Sequence, residues 1–239
     1  MNPSLAAGAD GSKAGWVFVV LDTERQRIQR CSVAPTFSEL LLQTSDCAAV
    51  GIDIPIGLPD RVARGGRAAD REARKLLKPR RHASVFSTPP RAVLQARAYE
   101  EANELHRANS EGELGMSRQA YGILPKIAEV DDLMTPRIQQ RVFEVHPELS
   151  FMELNGGTPI DQGKSRVGGI LARIRLLSEV GLTEGLEDLA GGMGKTGLDD
   201  ILDATAAAWT TGRIIKEEAF RLPEPAETDV RGLRMEIWR

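Results

Sequence analysis

The sequence predicts an α/β fold in which a helical segment is inserted between the strands of one sheet. Three observations support this prediction: the first third of the chain has short apolar runs rich in β-branched residues, the middle third is polar and helical, and the last third alternates between strands and helices. A length of 239 residues suits one large domain. We therefore predict a single domain over residues 1–239, with the helical insertion at about residues 60–136.

The first third of the chain predicts a β-meander followed by a crossover. The predicted strands cover residues 5–9, 16–21, 28–33 and 48–54. A short helix is predicted over residues 37–43, with Thr36 or Ser38 near its N-terminus. Because this helix separates the third strand from the fourth, we expect the fourth strand to run parallel to a neighbour in the sheet.

Helical patterns fill the predicted insertion and recur after it. They cover residues 61–77, 92–109 and 117–134, and later 147–154, 167–180 and 198–216. Two further short strands are predicted at residues 142–145 and 233–238.

Composition points to a soluble intracellular protein. The chain has 41% hydrophobic residues, two cysteines and no apolar stretch approaching the roughly 18 residues that a membrane span requires. We also see no N-terminal signal peptide. We expect a cytoplasmic protein with no membrane partner and no disulfide framework.

Charge is distributed unevenly along the chain. Residues 61–81 contain nine Lys or Arg against Asp70 and Glu72, a local net charge of +7, whereas the whole chain carries −3. A basic segment of this kind could contact a nucleic-acid backbone, although a solvated helix face explains it more simply.

Three basic residues of the insertion are candidates for phosphate binding: Arg81, Arg91 and Lys126. Arg91 follows two prolines, and a stiff segment suits a positioned guanidinium. An ion pair of Arg91 with Glu129 or Asp131 is the alternative.

Acidic residues occupy the ends of predicted strands and the start of a predicted helix. The candidate catalytic acids are Asp10, Asp53, Glu144, Asp200 and Asp203. Asp53 is the most informative, because its neighbours are apolar and a buried carboxylate without a partner is costly. A metal or a charged partner would relieve that cost, and carboxylates suit Mg²⁺ or Mn²⁺ better than zinc.

Each acid also has a structural interpretation. Asp10 could open a turn, and Asp200 could cap a helix. Glu148 is best explained as a first-turn residue of the helix that begins at Pro147, outside the site. Whether His146 reaches the site stays open.

Seven segments, taken in order, resemble a family of predicted RNase H-like nucleases, long described as a domain of unknown function and distantly similar to Holliday-junction resolvases. The segments are GADGSKAGW (8–16), GIDIPIGLP (51–59), SVFSTPPR (84–91), SRQAYGILPKIAEVD (117–131), EVHPELSF (144–151), DDILDATAAAW (199–209) and GLRMEIW (232–238).

The resemblance implies an RNase H-like mixed sheet flanked by helices. It also implies that Asp10, Asp53, Asp200 and Asp203 hold Mg²⁺ or Mn²⁺, while Glu144 matches a further strand acid of the family. The leading hypothesis is a metal-dependent nuclease that hydrolyses phosphodiester bonds of DNA or RNA by water attack.

Two other functions stay open. A non-catalytic RNase H-like module would bind nucleic acid or a protein through the same scaffold. Another phosphate-transfer enzyme, such as an actin-like kinase, would need a duplicated domain and a second phosphate loop, whereas the chain offers one turn of this type at Asp10-Gly11.

Overall fold

Five strands form one mixed sheet in the order β3-β2-β1-β4-β5 in the computed structural model, which describes residues 2–184 and 196–239. The strands are β1 (Asn2–Ser12), β2 (Gly15–Asp22), β3 (Arg27–Ala34), β4 (Cys47–Ile52) and β5 (Val142–Glu144). The first three are antiparallel, whereas β4 runs parallel to both β1 and β5. The predicted α/β fold and its parallel crossover are confirmed, and the strand order agrees with the RNase H-like fold.

Helices flank the sheet and fill the connection between β4 and β5. The helices are α1 (Phe37–Gln43), α2 (Ala68–Leu76), α3 (Tyr99–Ala108), α4 (Arg118–Gly122), α5 (Leu124–Leu133), α6 (Pro147–Leu154), α7 (Val167–Glu179) and α8 (Leu198–Ile215). A C-terminal hairpin of β6 (Arg221–Thr228) and β7 (Arg234–Trp238) forms a second, two-stranded sheet. No helix in the described part of the chain is long and apolar enough to cross a membrane.

Helix α8 lies directly on the sheet because glycines remove the side chains between them. A Cβ atom on Gly8 of β1 would lie 2.0 Å from the backbone N of Ala208, and one on Gly51 of β4 would lie 2.2 Å from Thr211 Oγ1. The facing residues of α8 are small and fully buried, including Ala204. This close approach places the first turns of α8 beside the carboxyl ends of β1 and β4.

The structure differs from the sequence prediction in helix α2, which lies in the basic segment, and in strands β1 and β6. Helix α2 begins at Ala68, because Gly65 and Gly66 have φ values of +90° and +85° and hold the preceding chain in a loop. Strand β1 is also longer than predicted and contains Asp10. Strand β6 was not predicted, since prolines such as Pro223 are rare in strand interiors.

Candidate functional site

A cavity of about 440 Å³ lies at the carboxyl ends of β1 and β4. These strands are parallel and pair Ala9 with Ile52, so Asp10 and Asp53 emerge side by side at one edge of the sheet. Helix α8 brings Asp203 to the same cavity. The structure thus gathers three of the predicted acids, which lie far apart in the sequence, around one space.

Burial raises the pKa of all three carboxylates, and negative neighbours add to the shift at Asp10. Burial, and then the charges of Asp53 and Asp203, raise the pKa of Asp10 well above its usual value. Burial raises the pKa of Asp53, and it raises that of Asp203 to about 6 even though Lys164 opposes the shift. Asp203 pairs with Lys164, but no hydrogen bond to the carboxylate of Asp10 or Asp53 comes from a residue that the structure describes.

Lys164 is a cation of the site that sequence reasoning missed. Its Nζ lies 2.6 Å from Asp203 Oδ2, and its positive charge also favours ionisation of Asp10 and Asp53. The side chain is 40% exposed, so it borders both the acids and solvent. Lys164 lies in the loop between α6 and α7, where a single lysine gives no sequence signal.

Glu148 also lines the cavity, which corrects its assignment to a place outside the site. Its Oε1 accepts hydrogen bonds from Arg81 at 2.6 Å and from Arg173 at 2.7 Å, whereas its buried Oε2 has no partner among the described residues. Burial alone would raise the pKa of Glu148, but Arg81 and Arg173 lower it, so this carboxylate stays charged. Oε2 is therefore a buried acceptor without a hydrogen-bond donor among the described residues, in a side chain that lines the cavity.

His146 reaches the cavity from the start of α6. Its Nδ1 accepts the backbone N–H of Glu148 at 3.2 Å, which caps the helix. In the neutral form the ring proton is therefore on Nε2. His146 and Glu148 come from one short segment, so the start of α6 places both side chains at the cavity.

Two of the predicted acids lie outside the cavity lining. Asp200 is half-buried in the first turn of α8, where burial and then Asp199 raise its pKa, and its charge reaches Asp10. Glu144 instead faces Arg67, whose Nη2 lies 2.5 Å from Glu144 Oε1. Burial opposes the charge of Arg67, but Asp70 and Glu144 outweigh it and raise the pKa of the guanidinium.

The predicted phosphate-binding residues are distributed differently from the acids. Arg81 lines the cavity while paired with Glu148. Arg91 pairs with Asp131 and Asp229, at 3.1 Å and 2.5 Å, which agrees with the alternative of an ion pair. Lys126 pairs with Glu129 and lies 4.9 Å from the ring centroid of Trp16.

The basic segment is not a uniform solvated face. Arg67 is only 3% exposed, and Arg74 donates hydrogen bonds to Val85 O and Ser87 Oγ. These guanidiniums bind loops of the same chain. Arg64, in contrast, is exposed and has no ion pair or side-chain hydrogen bond to a described residue.

The comparisons with known proteins place the chain in a family. The model of the family described as "Protein of unknown function (DUF429)" matches residues 8–228. The chain belongs to this family. A search of curated proteins and a search of solved structures found no match. The family match covers nearly the whole chain, and the description of the family names no function. The site is therefore the basis for inferring function.

The donor set of the cavity fits a hard divalent cation. Carboxylate oxygens are the ligands that Mg²⁺ and Mn²⁺ favour, and Glu148 Oε2 is a buried acceptor in need of a partner. Across residues 2–184 and 196–239, no three His, Cys, Asp or Glu side chains already form a group that could hold a metal ion. Asp203 instead pairs with Lys164, so the ammonium group of Lys164 supplies the positive charge beside Asp203 in this structure.

Proposed function

We propose that this protein is a metal-dependent nuclease that hydrolyses phosphodiester bonds of nucleic acid. The observation that carries the proposal is the convergence of Asp10, Asp53 and Asp203 on one cavity at the carboxyl ends of parallel strands. Burial is the main cause of their raised pKa values, and at Asp10 the charges of Asp53 and Asp203 add to it. Divalent cations bound between the carboxylates would offset both effects, as in two-metal phosphodiester hydrolysis.

In this proposal Asp10, Asp53 and Asp203 hold the ions, and Asp200 contributes charge from the first turn of α8. When bound, Mg²⁺ or Mn²⁺ supplies the positive charge that offsets the charge developing on the phosphodiester during water attack. Glu148 adds an oxygen acceptor to the wall through Oε2.

The cations of the cavity give the substrate its orientation. Lys164 and Arg81 both line it, and each is able to donate a hydrogen bond to a phosphate oxygen. His146 has Nε2 to donate or exchange a proton, because Nδ1 is occupied by the Glu148 amide. Arg81 lies in the loop after α2, His146 caps the start of α6 and Lys164 lies in the loop before α7, so the insertion and the segments after β5 both contribute.

The test is cleavage of single-stranded and duplex DNA and RNA by the purified protein with Mg²⁺ or Mn²⁺, beside Asp10→Asn. We expect cleavage by the wild type to fall at least 100-fold in the variant, an order-of-magnitude expectation for loss of a metal ligand. Asp132→Asn is the matched control, because Asp132 is exposed. It should cleave at the wild-type rate.

Titration calorimetry with Mn²⁺ separates catalysis from binding. The wild type and Asp132→Asn should bind the ion, and an Asp10→Asn/Asp53→Asn double variant should not. Undiminished cleavage by Asp10→Asn would remove these acids from the mechanism. Nucleic-acid binding without turnover under all metal conditions would favour a non-catalytic module.

A further inference from the structure

A second cavity, of about 590 Å³, adjoins the acidic cavity, which is the one lined by Asp10, Asp53 and Asp203. Three residues line both: Ala83, Phe86 and Gln119. They belong to the loop after α2 and to α4, two parts of the insertion that the proposed chemistry uses little. A substrate bound at the acids therefore has a second compartment directly beside it.

The walls of the second cavity are apolar with a polar edge. Val62, Val85 and Met116 are buried in its lining, and the half-buried ring of Phe86 lies at the boundary with the acidic cavity. Hydroxyl and amide groups complete the edge, from Ser87, Ser117 and Gln119. A lining of this kind, in a volume of 300–1,000 Å³ or so, is typical of sites for flat organic groups that carry a few hydrogen-bonding atoms.

The two cavities differ in charge. The second cavity has no Asp or Glu among the described residues of its lining, and Arg64 stands on its wall without a carboxylate partner from those residues. The first cavity carries several carboxylates. An occupant that spans both would place a cation-binding group at the acids, an apolar planar group beside Phe86 and an anionic group near Arg64.

We infer that the second cavity receives one unpaired nucleobase of the strand whose phosphodiester lies at the acids, with Phe86 against the base and Arg64 at a neighbouring phosphate. A nucleic-acid strand repeats a planar base and an anionic phosphate. This repeat matches the order of the acids, Phe86 and Arg64 along the two cavities. A base within a duplex is covered by its neighbours, so it enters a pocket only when it is unpaired or extruded. The inference rests on the proposed function and narrows its substrate to single-stranded or locally unpaired nucleic acid.

The test measures binding of a fluorescently labelled oligothymidylate and of a blunt-ended duplex hairpin, with Ca²⁺ as the cation and the probe checked for integrity afterwards. Phe86→Leu keeps the apolar volume but removes the aromatic face. We expect it to weaken oligothymidylate binding by about 10-fold, within the range for loss of stacking on one base. Ala63→Trp, which fills the cavity from another wall, should weaken binding similarly.

The contribution of the Arg64 charge to binding is tested with one variant and one control. Arg64→Ala should weaken binding and make the salt dependence shallower by about one counterion. Arg137→Ala is the control, because Arg137 is exposed at the opposite end of β5 and has no ion pair with a described residue. It should behave as the wild type.

The outcomes distinguish this inference from the nuclease proposal. Wild-type oligothymidylate affinity in both Phe86→Leu and Ala63→Trp would overturn the inference, even if the wild type cleaves nucleic acid. Equal losses for the oligothymidylate and the duplex hairpin would also overturn it. Selective loss of single-strand binding in a protein that cleaves nothing would support the cavity assignment and contradict the nuclease.

Discussion

The carboxylates of the acidic cavity place like charges in one buried space. Asp10 is 8% exposed and Asp203 is 4% exposed, and they lie close enough for each other's charge to matter. Lys164 pairs with only one of them, through Asp203. Like charges that share a buried space disfavour ionisation, and a site of this type gains stability when cations bind it.

The buried acids make the stability of the protein depend on pH. The pKa of Asp203 in the folded state is about 6, against a usual value of 3.8, and that of Asp10 is raised in the same direction. The folded state therefore binds these protons more tightly than the unfolded chain does, so the stabilisation is fully present below about pH 4 and is lost as the pH rises toward about 6. Asp10→Asn should be more stable than the wild type at pH 7, by the order of 1 kcal/mol.

Thermal melting in the presence of a chelator measures this difference. The gap between Asp10→Asn and the wild type should shrink as the pH falls to about 4, while Asp132→Asn should track the wild type throughout. Added Mn²⁺ should raise the melting temperature of the wild type and leave that of Asp10→Asn nearly unchanged. A variant less stable than the wild type at pH 7 would mean that Asp10 has a stabilising partner.

At the scale of elements, local sequence signals predicted most strands and helices, because the alternation or periodicity of apolar residues is visible within a short stretch of sequence. Thr36 at the start of α1 and the glycine-rich end of α6 are examples. Strand β6 escaped prediction because its pairing with β7 overrides the preference of Pro223. The positions of Asp10 and Asp53 at strand ends could be predicted because strand ends are read from local sequence. The position of Lys164 could not, since a loop lysine reaches the cavity only through long-range contacts.

The contact of α8 with the sheet yields a prediction of its own. Gly8→Ala would place a Cβ within 2.0–2.6 Å of backbone atoms of α8, and backbone cannot move away without displacing the helix. We expect a loss of roughly 3 kcal/mol or more in the free energy of unfolding, at the upper end for overpacking. Asp203 would move with α8, so Mn²⁺ affinity should also fall.

Gly122→Ala is the matched control for Gly8→Ala. Gly122 lies in α4, is exposed and has nothing within 4 Å of the position of an added Cβ. Alanine there should leave stability unchanged or raise it by up to about 1 kcal/mol. Urea denaturation of both variants gives the comparison. Equal midpoints would show that α8 and β1 can separate at little cost.

At the scale of the whole molecule, one buried ion-pair network joins the insertion to the sheet. Arg67 donates to Glu144 at the end of β5, to Asp70 in α2 and to Ile56 O in the loop after β4. Asp70 in turn accepts from both the N–H and the hydroxyl of Thr88. The sequence could not predict this network, because Arg67 was one of nine basic residues and its burial depends on how the whole chain folds.

A double-mutant cycle on this network tests whether it holds the insertion in place. Arg67→Met should lose about 3–5 kcal/mol, because it leaves Glu144 buried without its cation. Adding Glu144→Met removes that unpaired charge, so the double variant should be more stable than the sum of the single losses predicts, by at least about 1 kcal/mol. Arg30 and Asp46 form the control pair, since they lie 2.6 Å apart but are 36% and 48% exposed, and solvent limits their coupling to less than about 1 kcal/mol. If Arg67→Met costs no more than Arg30→Met, the insertion is held by apolar packing alone, and the acidic cavity does not depend on this network for its shape.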